Sequence, residues 1–303
     1  MTPITRAPSP WRNVLPAVAF VLTACGGGGG SATAAPAPAT PAAPTPAASA
    51  PAPSNSWSLV WSDEFDGAAG SVPSATNWNH DLGNAENGGW GNHEFQYYTA
   101  SARNAQLDGA GMLVITAEKA ANPGPCWNGA PCLYTSARIH TSNKVNFTYG
   151  KVEARMKLPS GQGIWPAFWS LGQTGQWPAS GEIDIMEFIG KTPTVTYGTA
   201  HGTGYSGAQG IGKPYEFGKP VADDFHTYTI IKRANEIIWQ VDGVEFHRLT
   251  PASLPAGAPW VFEKPFFVIL NLAVGGDWPG APDATTPATA QMKVDWVRIY
   301  KEN

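Results

Sequence analysis

The chain has 303 residues, only 14% of them charged, with 34 Gly, 28 Pro, 13 Trp, 9 Tyr and 12 Phe. This turn-rich, aromatic-rich composition favours strands over helices. A formal charge of -4 and an isoelectric point near 5.9 supply no basic surface for a polyanion, which excludes nucleic acid as a partner and favours a neutral ligand.

In chain order, Arg6 and Arg12 precede an apolar stretch from Val14 to Ala24 that is too short for a stable transmembrane helix and has the form of an export signal. It ends at Leu22-Thr23-Ala24-Cys25, which resembles the lipobox of bacterial lipoproteins, whose cysteine is acylated and becomes the mature N-terminus. Residues 1–25 then form a lipoprotein-type signal peptide with Cys25 lipidated; the alternative is ordinary signal cleavage with Cys25 a bystander. Two or three acyl chains hold a protein on a membrane stably, whereas one does not. The expected location is therefore extracytoplasmic, lipid-anchored to a bacterial cell membrane, the outer membrane being favoured. Residues 26–56, rich in Ala, Pro and Gly and free of charged and aromatic side chains, cannot bury enough apolar surface to fold and are expected to be a disordered, extended tether. From Trp57 to Asn303 there is no second linker and no solenoid period, so residues 57–303 are read as one domain.

Within it, short β-type runs recur between turn signals: 112–118, 150–158, 182–188, 227–232, 237–241, 266–273 and 294–300. In Lys151-Val152-Glu153-Ala154-Arg155-Met156-Lys157 every second residue is apolar, as in a strand with one face packed and one wet. Asp242-Gly243 is a type I′ hairpin signal. Many antiparallel strands without crossover helices predict an all-β, two-sheet sandwich or jelly roll. Cys126 and Cys132 flank a turn-forming Trp-Asn-Gly-Ala-Pro and are expected to form a disulfide, with a pair of reduced thiols as the alternative.

The segment Gly181-Glu182-Ile183-Asp184-Ile185-Met186-Glu187-Phe188 interleaves three acids with large apolar residues. In a regular strand Glu182 and Asp184 share a face, while Glu187, at an odd interval from both, points to the other. A bulge near Met186 returns Glu187 to the wet face. Strand twist and long side chains then bring the two glutamates towards the roughly 5–5.5 Å that suits a retaining glycosidase. One carboxylate attacks the anomeric carbon and the other protonates the leaving oxygen, with Asp184 holding a proton or hydrogen bond between them. A merely solvated strand face more often mixes in Lys, Thr or Ser.

With ExDxxE inside Trp177-Pro178-Ala179-Ser180-Gly181-Glu182-Ile183-Asp184-Ile185-Met186-Glu187, the chain resembles glycoside hydrolase family 16, bacterial laminarinase branch. The stretches 89–99, 149–155, 163–169 and 295–300 resemble further blocks of that family in its order. The resemblance implies a concanavalin-like jelly roll and endo-acting, retaining cleavage of β-1,3-glucan, with mixed-linked β-1,3-1,4-glucan also admitted. It makes Glu182 the nucleophile, Asp184 its assistant and Glu187 the acid/base. Its partner is a β-glucan polysaccharide, and the domain is expected to act as a monomer. One departure is His93, where such enzymes more often carry Asn.

A glucan cleft needs aromatic platforms and polar side chains. Trp165 and Trp177, beside Pro and Gly on apparent loops, and Trp278 are the candidate platforms, although any single Trp can equally be core. Glu153 and Arg155 share the wet face of their strand and can reach a sugar or pair with each other; the resemblance favours the cleft. Asn92, His201 and Asn271 fall where the resemblance places substrate contacts, with a satisfied turn or core group as the alternative for each. The resemblance also implies a structural calcium ion near the backbone of Glu64 and Gly111 and the side chain of Asp295, and no cofactor for catalysis. Other readings are a different hydrolase or transglycosylase of the family, agarase-like, and a non-catalytic glucan-binding protein on the same sandwich.

Overall fold

A computed structural model describes residues 56–84 and 87–303. The signal peptide, the lipobox Cys25 and residues 26–55 of the tether lie outside the described residues. The strands are β1 (Trp57–Asp63), β2 (Asn79–Asp81), β3 (Gln96–Tyr98), β4 (Ala105–Leu107), β5 (Leu113–Lys119), β6 (Tyr134–Ser136), β7 (Arg138–His140), β8 (Gly150–Lys157), β9 (Ile164–Gly172), β10 (Glu182–Phe188), β11 (Val195–His201), β12 (Ile211–Glu216), β13 (His226–Arg233), β14 (Glu236–Val241), β15 (Val244–Leu249), β16 (Phe266–Val274) and β17 (Thr289–Glu302).

They form two sheets. One has seven strands in the order β12-β11-β10-β9-β16-β7-β2; the other has ten, along β15-β14-β13-β8-β17-β5-β6-β3, with β1 added on β17 and β4 on β5. Most neighbours are distant in sequence, as in a jelly roll, and all these ladders are antiparallel except β3 with β6. That pair departs from the all-antiparallel expectation; three residues of each strand take part.

The inward positions are mainly apolar, with Ser170, Thr196 and Lys232 among the buried exceptions, so the sheets close face to face over one hydrophobic layer. Val152, Ala154 and Met156 of β8 meet Ile183, Ile185 and Phe188 of β10 in the same buried cluster. Full burial of each large aliphatic side chain stabilises by roughly 1.5–3 kcal/mol. Strand β8 alternates buried and partly exposed residues along its whole length, as its sequence predicts. At the β14–β15 hairpin Asp242 and Gly243 both have positive φ, 49° and 79°, as a type I′ turn requires. Because the core lies between the sheets, their outer faces point in opposite directions, and residues on one cannot share a site with residues on the other.

Candidate active site

Strand β10 lies in the middle of the seven-stranded sheet. Its register slips by one residue against both neighbours: Asp184 and Met186 face consecutive Trp169 and Phe168 of β9, while Asp184 and Glu187 face Thr199 and Tyr197 of β11. The surplus residue is absorbed inward. Ile185 and Met186 are both buried in the core with Ile183 and Phe188, while Glu182 and Glu187 stay partly exposed on the outer face. At the bulge the backbone carbonyl of Asp184 accepts the indole N–H of Trp239, a core residue of β14, at 2.8 Å.

The three acids are wired differently. Trp177 donates its indole N–H to Glu182 Oε2 at 2.6 Å, and Trp165 donates to Glu187 Oε1 at 3.2 Å. His201, directly across the ladder from Glu182, places Nε2 3.0 Å from Asp184 Oδ2. Its ring fits because Gly210 lies against it: a Cβ there would sit 2.3 Å from His201 Cε1. The carboxyls of Glu182 and Glu187 lie among protein on the sheet floor although their surfaces are not fully covered. Burial and then the charge of Asp184 push Glu182 up to about 8 and Glu187 well above the usual carboxylate range, and burial lifts Asp184 to about 7. His201 and the two indoles act against these rises. Such a cluster retains at least one proton near neutral pH while a neighbouring carboxylate ionises, which is the division of labour acid catalysis with a carboxylate nucleophile requires. Glu182, Asp184 and His201 also bring donor atoms within 4.8 Å of one another, the one grouping of three His, Cys, Asp or Glu side chains among the described residues that could hold a metal ion.

A row of side chains crosses the sheet on the same face as the acids. The ladders align Tyr197, Glu187, Ala167, Asn271, Arg138 and Asp81. Beside Glu187, Trp278 packs edge-on against Trp165 and Tyr197, with ring centroids 5.8 and 4.9 Å away. Across the row, the Arg138 guanidinium lies 4.6 Å from the Trp90 ring and 4.8 Å from the Trp169 ring, and pairs with Asp81 at 2.8 Å. Aromatic faces alternate here with neutralised polar groups, a lining suited to sugar rings ringed by hydroxyls.

The structure brings Glu182, Asp184, Glu187, Trp165, Trp177, His201, Asn271 and Trp278 to one face. Trp177 and Trp278 are 52% and 42% exposed. Trp165 lies not on a loop but within β9; the β9–β10 ladder stops at Ala167, so Pro166 sits where β16 alone is paired. Asn92 turns its side chain towards Glu94 at 3.2 Å and its carbonyl towards the Asp277 amide at 2.9 Å, bracing the loop that carries Trp278.

The assignment of Glu153 and Arg155 to the cleft is overturned. Both lie on β8, in the ten-stranded sheet, on the outer face opposite the acids. There Glu153 pairs with Lys151 at 3.0 Å, and Arg155 with Asp295 at 2.5 Å while covering the Phe225 ring. At the expected calcium corner, Asp63 pairs with Val297 and Leu113 with Val294, so the register draws Glu64, Gly111 and Asp295 together. A Cβ on Gly111 would lie 3.9 Å from the Glu64 carbonyl and 3.5 Å from Asp66 Oδ1. These oxygens suit calcium, although Arg155 already holds one oxygen of Asp295. Cys126 and Cys132 are joined, with Cα atoms 4.8 Å apart.

Sequence reasoning missed Arg138, Trp90, Asp81, Tyr197 and the core donor Trp239. Arg138 and Asp81 sit on three-residue strands, too short to show a period. The Gly-rich stretch around Trp90, where Trp90 itself takes φ 59°, was a signal that its backbone is specially shaped.

Comparison with known proteins agrees with this fold. A beta-glucanase of Rhodothermus marinus is 40% identical over 257 residues, covering 81% of this chain and 85% of that protein. Among solved structures, an endo-beta-1,3-glucanase from Pyrococcus furiosus superposes with a TM-score of 0.77 at 45% identity, covering 83% of this chain and 97% of that one. The laminarinase catalytic domain from Thermotoga maritima gives 0.75 at 44% identity, covering 82% and 99%. Residues 92–298 match the model of Glycosyl hydrolases family 16, and the chain belongs to that family.

Proposed function

We propose that the protein is an endo-acting, retaining β-1,3-glucanase. The observation that carries this reading is the single outward face of β10, where Glu182 and Glu187 flank Asp184 and each outer carboxyl receives an indole N–H. Glu182 attacks the anomeric carbon, the glycosidic C–O bond breaks, and Glu187 passes its proton to the departing oxygen. Glu187 then takes a proton from water, and that water displaces the sugar from Glu182. Asp184, tied to His201, shares a proton with Glu182 and restrains its charge until attack. Carboxyl groups supply all of this chemistry, and no cofactor takes part.

A neutral polymer suits the cleft, since the guanidinium in its floor is already balanced by Asp81. The test is product analysis on laminarin, lichenan, agarose and xyloglucan, with the anomer formed first read by NMR. Oligosaccharides from laminarin with the β-anomer formed first are expected; an inverted first product, or turnover of agarose alone, would remove the reading.

The sequence further supports residues 1–25 as a lipoprotein signal and 26–56 as a tether carrying the 57–303 domain, monomeric, outside the cytoplasm. The Cys126–Cys132 bond suits an oxidising compartment. Cys25→Ser should release the protein from membranes, and unchanged partitioning rejects the anchor. Calcium, if bound, is structural, held by the carbonyls of Glu64 and Gly111 and by Asp295. Calcium should then raise Tm relative to chelator, and identical melting counts against the site.

A further inference from the structure

Glu94 is a carboxyl only 5% exposed that the reaction above does not use. It lies between the turn carrying Trp90 and strand β3. Its Oε1 accepts from Asn92 Nδ2 at 3.2 Å, and its Oε2 from Gln96 Nε2 at 2.5 Å and the Tyr98 hydroxyl at 3.3 Å. The series continues towards the cleft. The Tyr98 oxygen accepts from Asn271 Nδ2 at 3.1 Å, Asn271 Oδ1 accepts from Trp169 Nε1 at 2.7 Å, and the Trp169 ring lies against Arg138. Trp169 is also the cross-strand partner of Asp184.

Every donor in this series points towards Glu94. A phenol has one proton, and an ionised carboxylate is the strongest acceptor within its reach. With that proton committed to Glu94, the Tyr98 oxygen offers only lone pairs. Asn271 must then turn its NH2 towards Tyr98 and its carbonyl towards Trp169. Reversing any one group would leave a buried donor facing a donor, a cost of about 1–3 kcal/mol. The series is therefore set from its buried end, and its members reinforce one another.

We infer that Glu94 is a positioning residue of the glucan cleft: acting through Tyr98 and Asn271, its carboxylate fixes the orientation of the Trp169 indole against which Arg138 is stacked. This rests on reading that face as the β-1,3-glucan site. Burial, opposed by the surrounding donors, lifts Glu94 to about 7, so the carboxylate that orients the series forms only as pH rises towards neutrality.

The experiment compares Glu94→Gln, Tyr98→Phe and the double variant in the full chain, with two readouts. One is kcat/KM on laminarin. The other is the Trp169 indole N–H resonance, assigned with Trp169→Phe. Each single change should lower kcat/KM about tenfold, with the double variant no worse than the weaker single, because both break the same series. The Trp169 resonance should move in both. Multiplying losses in the double variant, or an unmoved Trp169 resonance in Glu94→Gln, overturns the inference. Should Glu94→Gln fail to fold, Tyr98→Phe, which deletes only a hydroxyl, decides: a Trp169 resonance left in place sinks the idea. The resonance needs no turnover, so a wild-type protein inert on laminarin would reject the proposed function while the spectrum still decided the relay.

Discussion

Strands β8 and β10 are built on the same pattern and end in opposite circumstances. Each alternates apolar residues with charged ones, and each turns its charges away from the shared core. On β8 the charges are mixed in sign and find partners: Lys151 with Glu153, Arg155 with Asp295. On β10 they are all acids, crowded together, and answered by indole N–H groups and one imidazole. A paired face sits near its lowest electrostatic energy and has little to offer a reaction. A like-charged, partly desolvated face holds its protons loosely divided among several groups, and that imbalance is what acid catalysis draws on.

The contrast can be broken most directly at β10 itself. Glu182→Ala and Glu187→Ala should each lower turnover of β-1,3-glucan by at least about a hundredfold, since covalent attack or proton donation is lost. Near-normal rates in both would dissolve the distinction between the two faces.

A smaller effect, of opposite sign for stability, sharpens it. Glu187 has its folded pKa raised well above the model-compound value of 4.5, first by burial and then by Asp184. Between those two pKa values the folded state holds a proton that the unfolded state has released, so stability falls as pH rises through that window. Glu187→Gln removes the penalty. Its Tm should exceed that of the wild type near pH 8 by a few degrees, and the gap should close as pH drops towards 4. A gap that widened in acid would mean the carboxyl is stabilised as an anion instead.

The smallest change belongs to β8. Arg155→Gln and Glu153→Gln should leave kcat/KM within about twofold of the wild type and alter stability by under about 1 kcal/mol, as expected of partly exposed ion pairs. A tenfold loss of activity from either would return those residues to the cleft.

Much of this was legible beforehand, and the gaps have physical causes. The acids of β10 announced themselves through an odd interval that only a bulge could reconcile, and the register slips there. The alternation of β8 gave the strand and its wet side correctly. Periodicity, however, says which residues share a face and not which sheet the strand joins; the cleft reading of Glu153 and Arg155 rests on the resemblance, and the sheet order sets β8 on the other side. Strand β9 escaped because Gly163 and Pro166 read as a loop, whereas the ladder to β16 runs through Pro166. Arg138 and Asp81, on strands of three residues, depend on long-range pairing for their place.

The inward-facing surplus at Met186 has a consequence for how such a strand can vary. Skipping Met186, the run Glu182, Ile183, Asp184, Ile185, Glu187 would alternate without interruption and show solvent the same three acids. The extra position thus lengthens the hydrophobic side of the strand while leaving the order of its reactive side untouched. Losing it would cost the interior the volume of one methionine, yet it would not invert the grammar of the face that does the chemistry.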